Sequence, residues 1–170
     1  IKPGEKCPMT MKVIAVVGAG VMGSDVALDF VSHNYRVILK DLTDEILENA
    51  RGNIKRSYSF AKMMKKDFFS SPFDEIISRI TFVTDYNNFS EADFIIENIT
   101  ENFEVKTKLY AELRNVCRED AVLGVNTSCI PITKMGQLMP TPQNVIGMHL
   151  MNPVPLKPFV EIIKGERTSD

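Results

Sequence analysis

The chain has 170 residues, 44% of them hydrophobic and 25% charged, with a formal net charge of −2. That length suits one domain with a real core, or one domain plus an appendage, and the near-neutral balance gives no electrostatic case for nucleic acid or an anionic membrane. No apolar run approaches the roughly 20 residues that span a bilayer. The N-terminus lacks a signal-peptide core, and two histidines with three cysteines (Cys7, Cys117, Cys129) show no metal-ligand spacing, so no metal site is expected. An odd cysteine count of this kind fits a reducing, cytoplasmic setting.

Residues 1–10 hold two prolines, a glycine and no periodicity. They read as a leader or tag-like segment, with Met9 or Met11 as a natural start, and the fold is expected in residues 11–170. The apolar, β-branched run Lys12-Val13-Ile14-Ala15-Val16-Val17 reads as a strand, followed by Gly18-Ala19-Gly20-Val21-Met22-Gly23 and a helical pattern from Ser24 to His33. A second apolar run, Tyr35 to Leu39, ends at Lys40-Asp41. Strand, glycine turn, helix, strand and acid form the βαβ unit that binds a dinucleotide. Gly18 permits the tight turn, Gly20 lets a pyrophosphate approach the backbone, and Gly23 lets the helix pack on the sheet. The helix N-terminus, at Val21 and Met22, directs unpaired N–H groups at the phosphates. Asp41 suits the adenosine ribose hydroxyls and disfavours a 2′-phosphate, which selects NAD, although Lys40 beside it works against that preference. The competing reading is a tight βα turn with no ligand.

Thr43 caps a second helix whose first turn carries Asp44 and Glu45; its pattern runs through Ile46, Leu47, Ala50, Ile54 and Tyr58 towards Phe69. Ser70-Ser71-Pro72 breaks it, and Phe73 to Ser78 makes a short partner helix. This inserted helical hairpin either shapes a substrate cleft or adds surface cover. Strands follow at Thr81 to Thr84, Phe94 to Asn98, Ala121 to Val125, Val145 to His149 and Phe159 to Ile163. A helix spans Phe103 to Val116, and a short helix or turn spans Ile130 to Leu138. The alternation predicts an α/β, Rossmann-type doubly wound, mostly parallel sheet.

At the carboxyl edge of such a sheet, where ligands bind, stand Asn126-Thr127-Ser128-Cys129, His149 and Asn152. Glu161 lies on the last strand, which doubles back past His149. A His held by a carboxylate keeps one tautomer and is stabilised as a cation, which suits proton removal from an alcohol during hydride transfer. The plainer readings are a satisfied core histidine at 149, a helix cap at Ser128, a turn at Asn152 and a small packed residue at Cys129.

The glycine turn, Ile96-Glu97-Asn98 running to Glu101-Asn102, Asn126-Thr127-Ser128, and His149-Leu150-Met151-Asn152-Pro153-Val154-Pro155 with Glu161 together resemble the NAD-binding domain of the 3-hydroxyacyl-CoA dehydrogenases. The resemblance implies His149 as catalytic base and Glu161 as its partner. Ser128 would bond the reacting oxygen, Asn152 would sit at nicotinamide and substrate, and Glu101 and Lys106 would lie beside the cofactor ribose. It implies NAD as cofactor, an acyl-CoA or acyl-carrier-protein substrate, and a setting in fatty acid metabolism or polyketide biosynthesis. The competing readings are a dehydrogenase of a free small hydroxy acid, which would want an arginine near Ser128, and a non-catalytic NAD-binding domain. Cys129 replaces a second serine, and Leu150-Met151 replace two phenylalanines. The hairpin has no matched serine and lysine for CoA; Lys55, Lys62, Lys65 and Lys66 are its basic residues. Family enzymes follow this domain with a helical one, so a C-terminal helical domain or dimer partner is expected in addition, and this chain alone is expected to bind NAD but turn over poorly.

Overall fold

The computed structural model describes residues 12–157 and 159–170. The leader expected at residues 1–10, the start at Met9 or Met11, and Cys7 lie outside the described residues. The chain runs β1 (Val13–Val17), α1 (Val21–Ser32), β2 (Arg36–Lys40), α2 (Asp44–Met64), α3 (Phe73–Ile77) and β3 (Ile80–Val83). It continues through β4 (Phe94–Glu97), α4 (Phe103–Val116), β5 (Val122–Val125), α5 (Ile132–Gly136), β6 (Val145–Leu150) and β7 (Val160–Lys164).

The strands form one sheet of order β3-β2-β1-β4-β5-β6-β7. Pairs are parallel from β3 through β6, and β7 returns antiparallel to β6. β1 is buried along its whole length, because helices cover both faces. Ile14 and Val16 enter the core beneath α1 and α2, while Val13, Ala15 and Val17 enter the core beneath α4. β1 pairs with β2 on one side and β4 on the other, so the chain reverses its direction of sheet growth there. The carboxyl ends of β1 and β4 therefore bound the crevice where doubly wound sheets take ligands. No helix among the described residues is long and apolar enough to cross a membrane.

α2 buries Leu47, Ala50, Ile54, Tyr58 and Ala61, spaced three or four apart along one stripe, and packs against α1. It starts as expected, with the Thr43 hydroxyl accepting from the Ile46 N–H at 3.3 Å. It stops at Met64, short of Phe69. Tyr58 stacks on Phe69 with ring centroids 4.8 Å apart and donates its hydroxyl to the Ser71 carbonyl, so the chain turns at Lys65 to bring Phe69 back. That pairing outweighs a further helical turn, since a stacked aromatic pair adds about 0.5–1.5 kcal/mol beyond the area it buries.

The turn of the hairpin, with Phe68 and Phe69, walls a groove of about 720 Å³ together with Phe30, Leu150 and Leu156. Leu150 and Met148 project to the α1 face of β6, so by strand alternation His149 projects to the other. The hairpin thus shapes a groove on the face of the sheet opposite His149.

Candidate active site

The glycine turn is fixed by sterics. Gly18 has φ +96°, and a Cβ there would lie 2.7 Å from the Asn98 carbonyl oxygen. A Cβ on Gly23 would lie 1.7 Å from the Gly18 carbonyl oxygen, so α1 meets the turn with no room for a side chain. A Cβ on Gly20 would meet nothing within 4 Å: it would point into open crevice. Gly20 caps α1 without a side-chain acceptor, which leaves the first-turn N–H groups of Val21 and Met22 facing outwards with the positive helix end.

Asp41 reaches back to this turn. Its carboxylate accepts from the Ala19 N–H at 2.6 Å and the Leu42 N–H at 2.7 Å, so β2 and the turn move as one piece. Between them and α4 opens a cavity of about 450 Å³ whose lining includes Gly18, Gly20, Asp41, Tyr86, Asn98 and Val105. Asn98 contributes a polar group here whose Nδ2 is buried with no hydrogen-bond partner among the described residues. Its Oδ1 accepts from Asn126 Nδ2 at 2.8 Å, and Asn126 Oδ1 accepts from the Leu150 N–H at 3.3 Å. One amide chain thereby locks together the ends of β4, β5 and β6.

Below this lies a buried ion pair. Lys106 and Glu97 both have fully buried side chains, and Lys106 Nζ donates to both Glu97 oxygens at 2.6 Å and to the Asn126 carbonyl at 3.1 Å. Burial pushes the Glu97 carboxyl up, and Lys106 opposes that push. Glu101 Oε2 stands 3.9 Å from the same ammonium. Its Oε1 accepts from the Thr127 hydroxyl at 2.5 Å, the Ser128 N–H at 2.9 Å and the Cys129 N–H at 3.2 Å. Burial works to raise the Glu101 carboxyl, but these donors together with Lys106 hold it below the usual carboxylate range.

Glu101 therefore holds the backbone that carries Ser128. Ser128 Oγ lies 3.2 Å from His149 Nε2, and His149 Nδ1 lies 2.5 Å from Glu161 Oε2. His149 and Glu161 are direct partners in the β6–β7 register. A second cavity, about 260 Å³, is lined by Ser128, Cys129, Ile132, His149, Glu161 and Ile163. The network assigns Nδ1–H as donor to the carboxylate, which leaves Nε2 as a base and the Ser128 hydroxyl as its donor. This can take a proton from an alcohol and shelter the resulting cation.

Residues 13–170 match the family model described as 3-hydroxyacyl-CoA dehydrogenase, NAD binding domain. The chain belongs to the 3-hydroxyacyl-CoA dehydrogenase family. Among its relatives, a probable 3-hydroxybutyryl-CoA dehydrogenase of Deinococcus radiodurans is 36% identical over 155 residues, covering 91% of this chain and 55% of that protein. The peroxisomal fatty acid beta-oxidation multifunctional protein MFP2 of Arabidopsis thaliana is 30% identical, covering 95% of this chain and 22% of its own length. Among solved structures, the (S)-3-hydroxybutyryl-CoA dehydrogenase PaaH1 of Ralstonia eutropha superposes with TM-score 0.89 at 29% identity, covering 95% of this chain and 56% of that one. FadB2 of M. tuberculosis gives 0.87 at 33%, covering 95% and 57%. The chain thus spans about half, or less, of the relatives it matches.

Against this family frame, Ser128, His149 and Glu161 meet as a set, and the glycine turn with Asp41 bounds one crevice. His149 is 29% exposed at its side chain, which excludes the core-histidine reading. Ser128 is not a helix cap; the Thr127 hydroxyl closes that turn by accepting from the Ile130 N–H at 2.9 Å. Asn152 is exposed, and its side chain makes no hydrogen bond among the described residues, so the structure does not tie it to the other three. Lys106, expected beside the cofactor ribose, is fully buried beneath the crevice, where Glu97 draws its ammonium inwards. Cys129, expected to be packed, is exposed and lines the smaller cavity. The hydrogen bond to Glu101 raises its thiol. Glu97 appears in the sequence reading only within the motif Ile96-Glu97-Asn98, without a role; a lone acid closing the otherwise apolar strand Phe94–Glu97 is the signal that marks it.

Proposed function

We propose that this chain is the cofactor-binding half of an NAD-dependent dehydrogenase that oxidises a 3-hydroxyacyl thioester to the 3-oxoacyl thioester. One observation carries the reading: a serine, a histidine and a glutamate stand in hydrogen-bond sequence at the same sheet edge as the dinucleotide turn. The residues fit NAD, because the crevice has a side-chain-free wall at Gly20, open helix amides and a carboxylate at Asp41.

Gly18, Gly20, Gly23 and the Val21 and Met22 amides would hold the pyrophosphate, Asp41 the adenosine ribose, and Glu101 the region nearer Ser128. When bound, NAD supplies the hydride acceptor. His149 Nε2 accepts the proton of the 3-hydroxyl, Ser128 Oγ turns to hold the same oxygen, and Glu161 stabilises the imidazolium that forms. Asn152 is assigned to the substrate side of this centre, and Lys106 acts by holding Glu101. Assistance by a base of this kind is worth roughly 10²–10⁴ in rate.

For the acyl carrier we infer CoA, within fatty acid metabolism, from the 3-hydroxybutyryl-CoA dehydrogenase and fatty acid beta-oxidation relatives. A carrier-protein substrate, as in polyketide biosynthesis, is the second reading. It rests on the exposed hairpin lysines Lys55, Lys65 and Lys66, which suit an acidic partner. The exposed apolar residues Phe159 and Ile162, at 60% and 53%, support a further helical domain or a partner subunit against this face. The free thiols Cys117 and Cys129 support a reducing, cytoplasmic setting.

The test is His149→Ala in this domain joined to a C-terminal helical domain of the family, with NAD binding measured by calorimetry and oxidation of 3-hydroxybutyryl-CoA followed by NADH absorbance. Retained NAD affinity with oxidation reduced roughly 10²–10⁴-fold is expected. Oxidation at the wild-type rate would overturn the proposal.

A further inference from the structure

Lys40 closes β2 beside Asp41 and is only 5% exposed. Its ammonium has no carboxylate and no hydrogen-bond acceptor among the described residues. What it has is a π-face: Nζ lies 4.4 Å from the centroid of the Tyr86 ring. Tyr86 in turn donates its hydroxyl to Glu112 Oε2 at 2.8 Å, across from the loop after β3 to α4. Lys40, Tyr86 and Glu112 line the same cavity as Gly18 and Asp41.

A cation this withdrawn from water is costly unless it is compensated, and one aromatic face compensates only in part. The ammonium has three donors and no protein acceptor, at the wall of a cavity that accepts a ligand. Glu112 carries the opposite need, because Tyr86 uses one carboxylate oxygen and the other keeps its acceptor capacity. An ammonium over the ring face and a carboxylate at its hydroxyl edge, both lining one cavity, offer a donor and an acceptor to a flat heterocycle that presents an acceptor next to a donor. Adenine does this, with ring N1 beside its exocyclic amine. Hypoxanthine reverses it, with a hydrogen on N1 and an oxygen at C6.

Resting on the reading of this crevice as an NAD site, we propose that Lys40 and Glu112 read the adenine base of the cofactor. The ammonium donates to N1, and the Glu112 carboxylate accepts from the amine. Lys40 therefore serves the base rather than a 2′-phosphate. Its side chain is directed to the α4 side, towards Tyr86, whereas Asp41 holds the ribose side of the turn. The apparent conflict between a lysine and an aspartate at the end of β2 resolves into a division of labour.

Calorimetric titration of the full chain with NAD, NADP and nicotinamide hypoxanthine dinucleotide tests this. Wild type binds NAD at least about tenfold more tightly than the hypoxanthine analogue, as expected for hydrogen bonds to charged groups. Lys40→Met loses that preference and weakens NAD by a similar factor. Glu112→Leu, a change at an exposed position, narrows the preference with an unchanged melting temperature, so a folding defect in the first variant leaves the second decisive. Equal binding of NAD and the analogue by wild type, or a preference retained in both variants, overturns the proposal. Tighter binding of NADP than NAD does so too, by assigning Lys40 to phosphate. Failure of all three dinucleotides to bind overturns the cofactor reading beneath it.

Discussion

His149 and Glu161 face each other across the β6–β7 register, and their side chains close the gap to 2.5 Å between Nδ1 and Oε2. The antiparallel pair at the end of an otherwise parallel sheet produces this contact, because the short return from β6 sets Glu161 in register with His149 on the same face. The carboxylate fixes which imidazole nitrogen keeps its hydrogen.

Glu161→Gln should therefore damage chemistry without damaging binding. An amide can turn its NH₂ towards Nδ1, which moves the ring hydrogen to Nε2 and removes the base. We expect turnover to fall roughly 10²-fold or more, with NAD affinity unchanged by calorimetry. Unaltered turnover would remove Glu161 from the machinery.

Lys106→Met should cost far more stability than a surface change, because it strands the Glu97 carboxylate in the core. Breaking a buried pair from one side costs about 3–5 kcal/mol. The double variant Glu97→Gln with Lys106→Met should recover most of that in urea denaturation. The pH dependence has a defined sign. Burial raises Glu97 already, and without Lys106 nothing of opposite charge opposes it. A carboxyl whose folded value lies above its unfolded value favours the fold at low pH and loses that benefit as pH rises through the folded value. The single variant should accordingly gain stability as pH falls towards the usual carboxylate range. A flat profile would place Glu97 in contact with water.

What the sequence makes legible and what it hides follow from distance along the chain. The glycine turn is local, and its residues are constrained by one another: Gly23 is forced by the Gly18 carbonyl five residues away. The alternation of strands and helices follows in the same way, as does the meeting of His149 with Glu161 through a short return. Lys106 enters through the family resemblance alone, and its inward direction depends on Glu97, nine residues off on another element. Its helical position alone does not say which neighbour claims the ammonium. The end of α2 was overrun because helix propensity continues past Met64, while the stacking of Tyr58 on Phe69 exists only after the turn is made. The grouping of Lys40, Tyr86 and Glu112 joins three elements and leaves no mark at any one of them.

Cys117 and Cys129 should differ sharply towards iodoacetamide near neutral pH. Burial pushes the Cys117 thiol up to about 11, which leaves almost no thiolate. Cys129 is exposed, and its Sγ donates to Glu101 Oε1 at 3.6 Å, which slows it without hiding it. Peptide mapping by mass spectrometry should find Cys129 modified first. Glu101→Gln should quicken that reaction, since the charge that disfavours the thiolate is gone. Preferential labelling of Cys117 would contradict the burial of its side chain.

Alanine at Gly20 and at Gly23 should separate binding from folding. At Gly20 the backbone has φ −66° and ψ −165°, which alanine adopts freely, and the added methyl meets nothing within 4 Å. Stability should hold or rise by about 0.4–1 kcal/mol, as it does where a glycine conformation suits other residues. That methyl nevertheless occupies the space a pyrophosphate needs against the N-terminus of α1, so NAD affinity should fall at least about tenfold, the loss of one charge-assisted hydrogen bond. At Gly23 the methyl would lie 1.7 Å from the Gly18 carbonyl oxygen, a backbone atom that cannot swing aside. α1 must then shift off the sheet, with a loss of about 1–3 kcal/mol or more, read as a lower melting temperature in the absence of any dinucleotide. Equal melting temperatures for the two variants would mean that the turn is looser than the contact between Gly18 and Gly23 requires. Unchanged NAD affinity in Gly20→Ala would mean that the phosphates lie elsewhere.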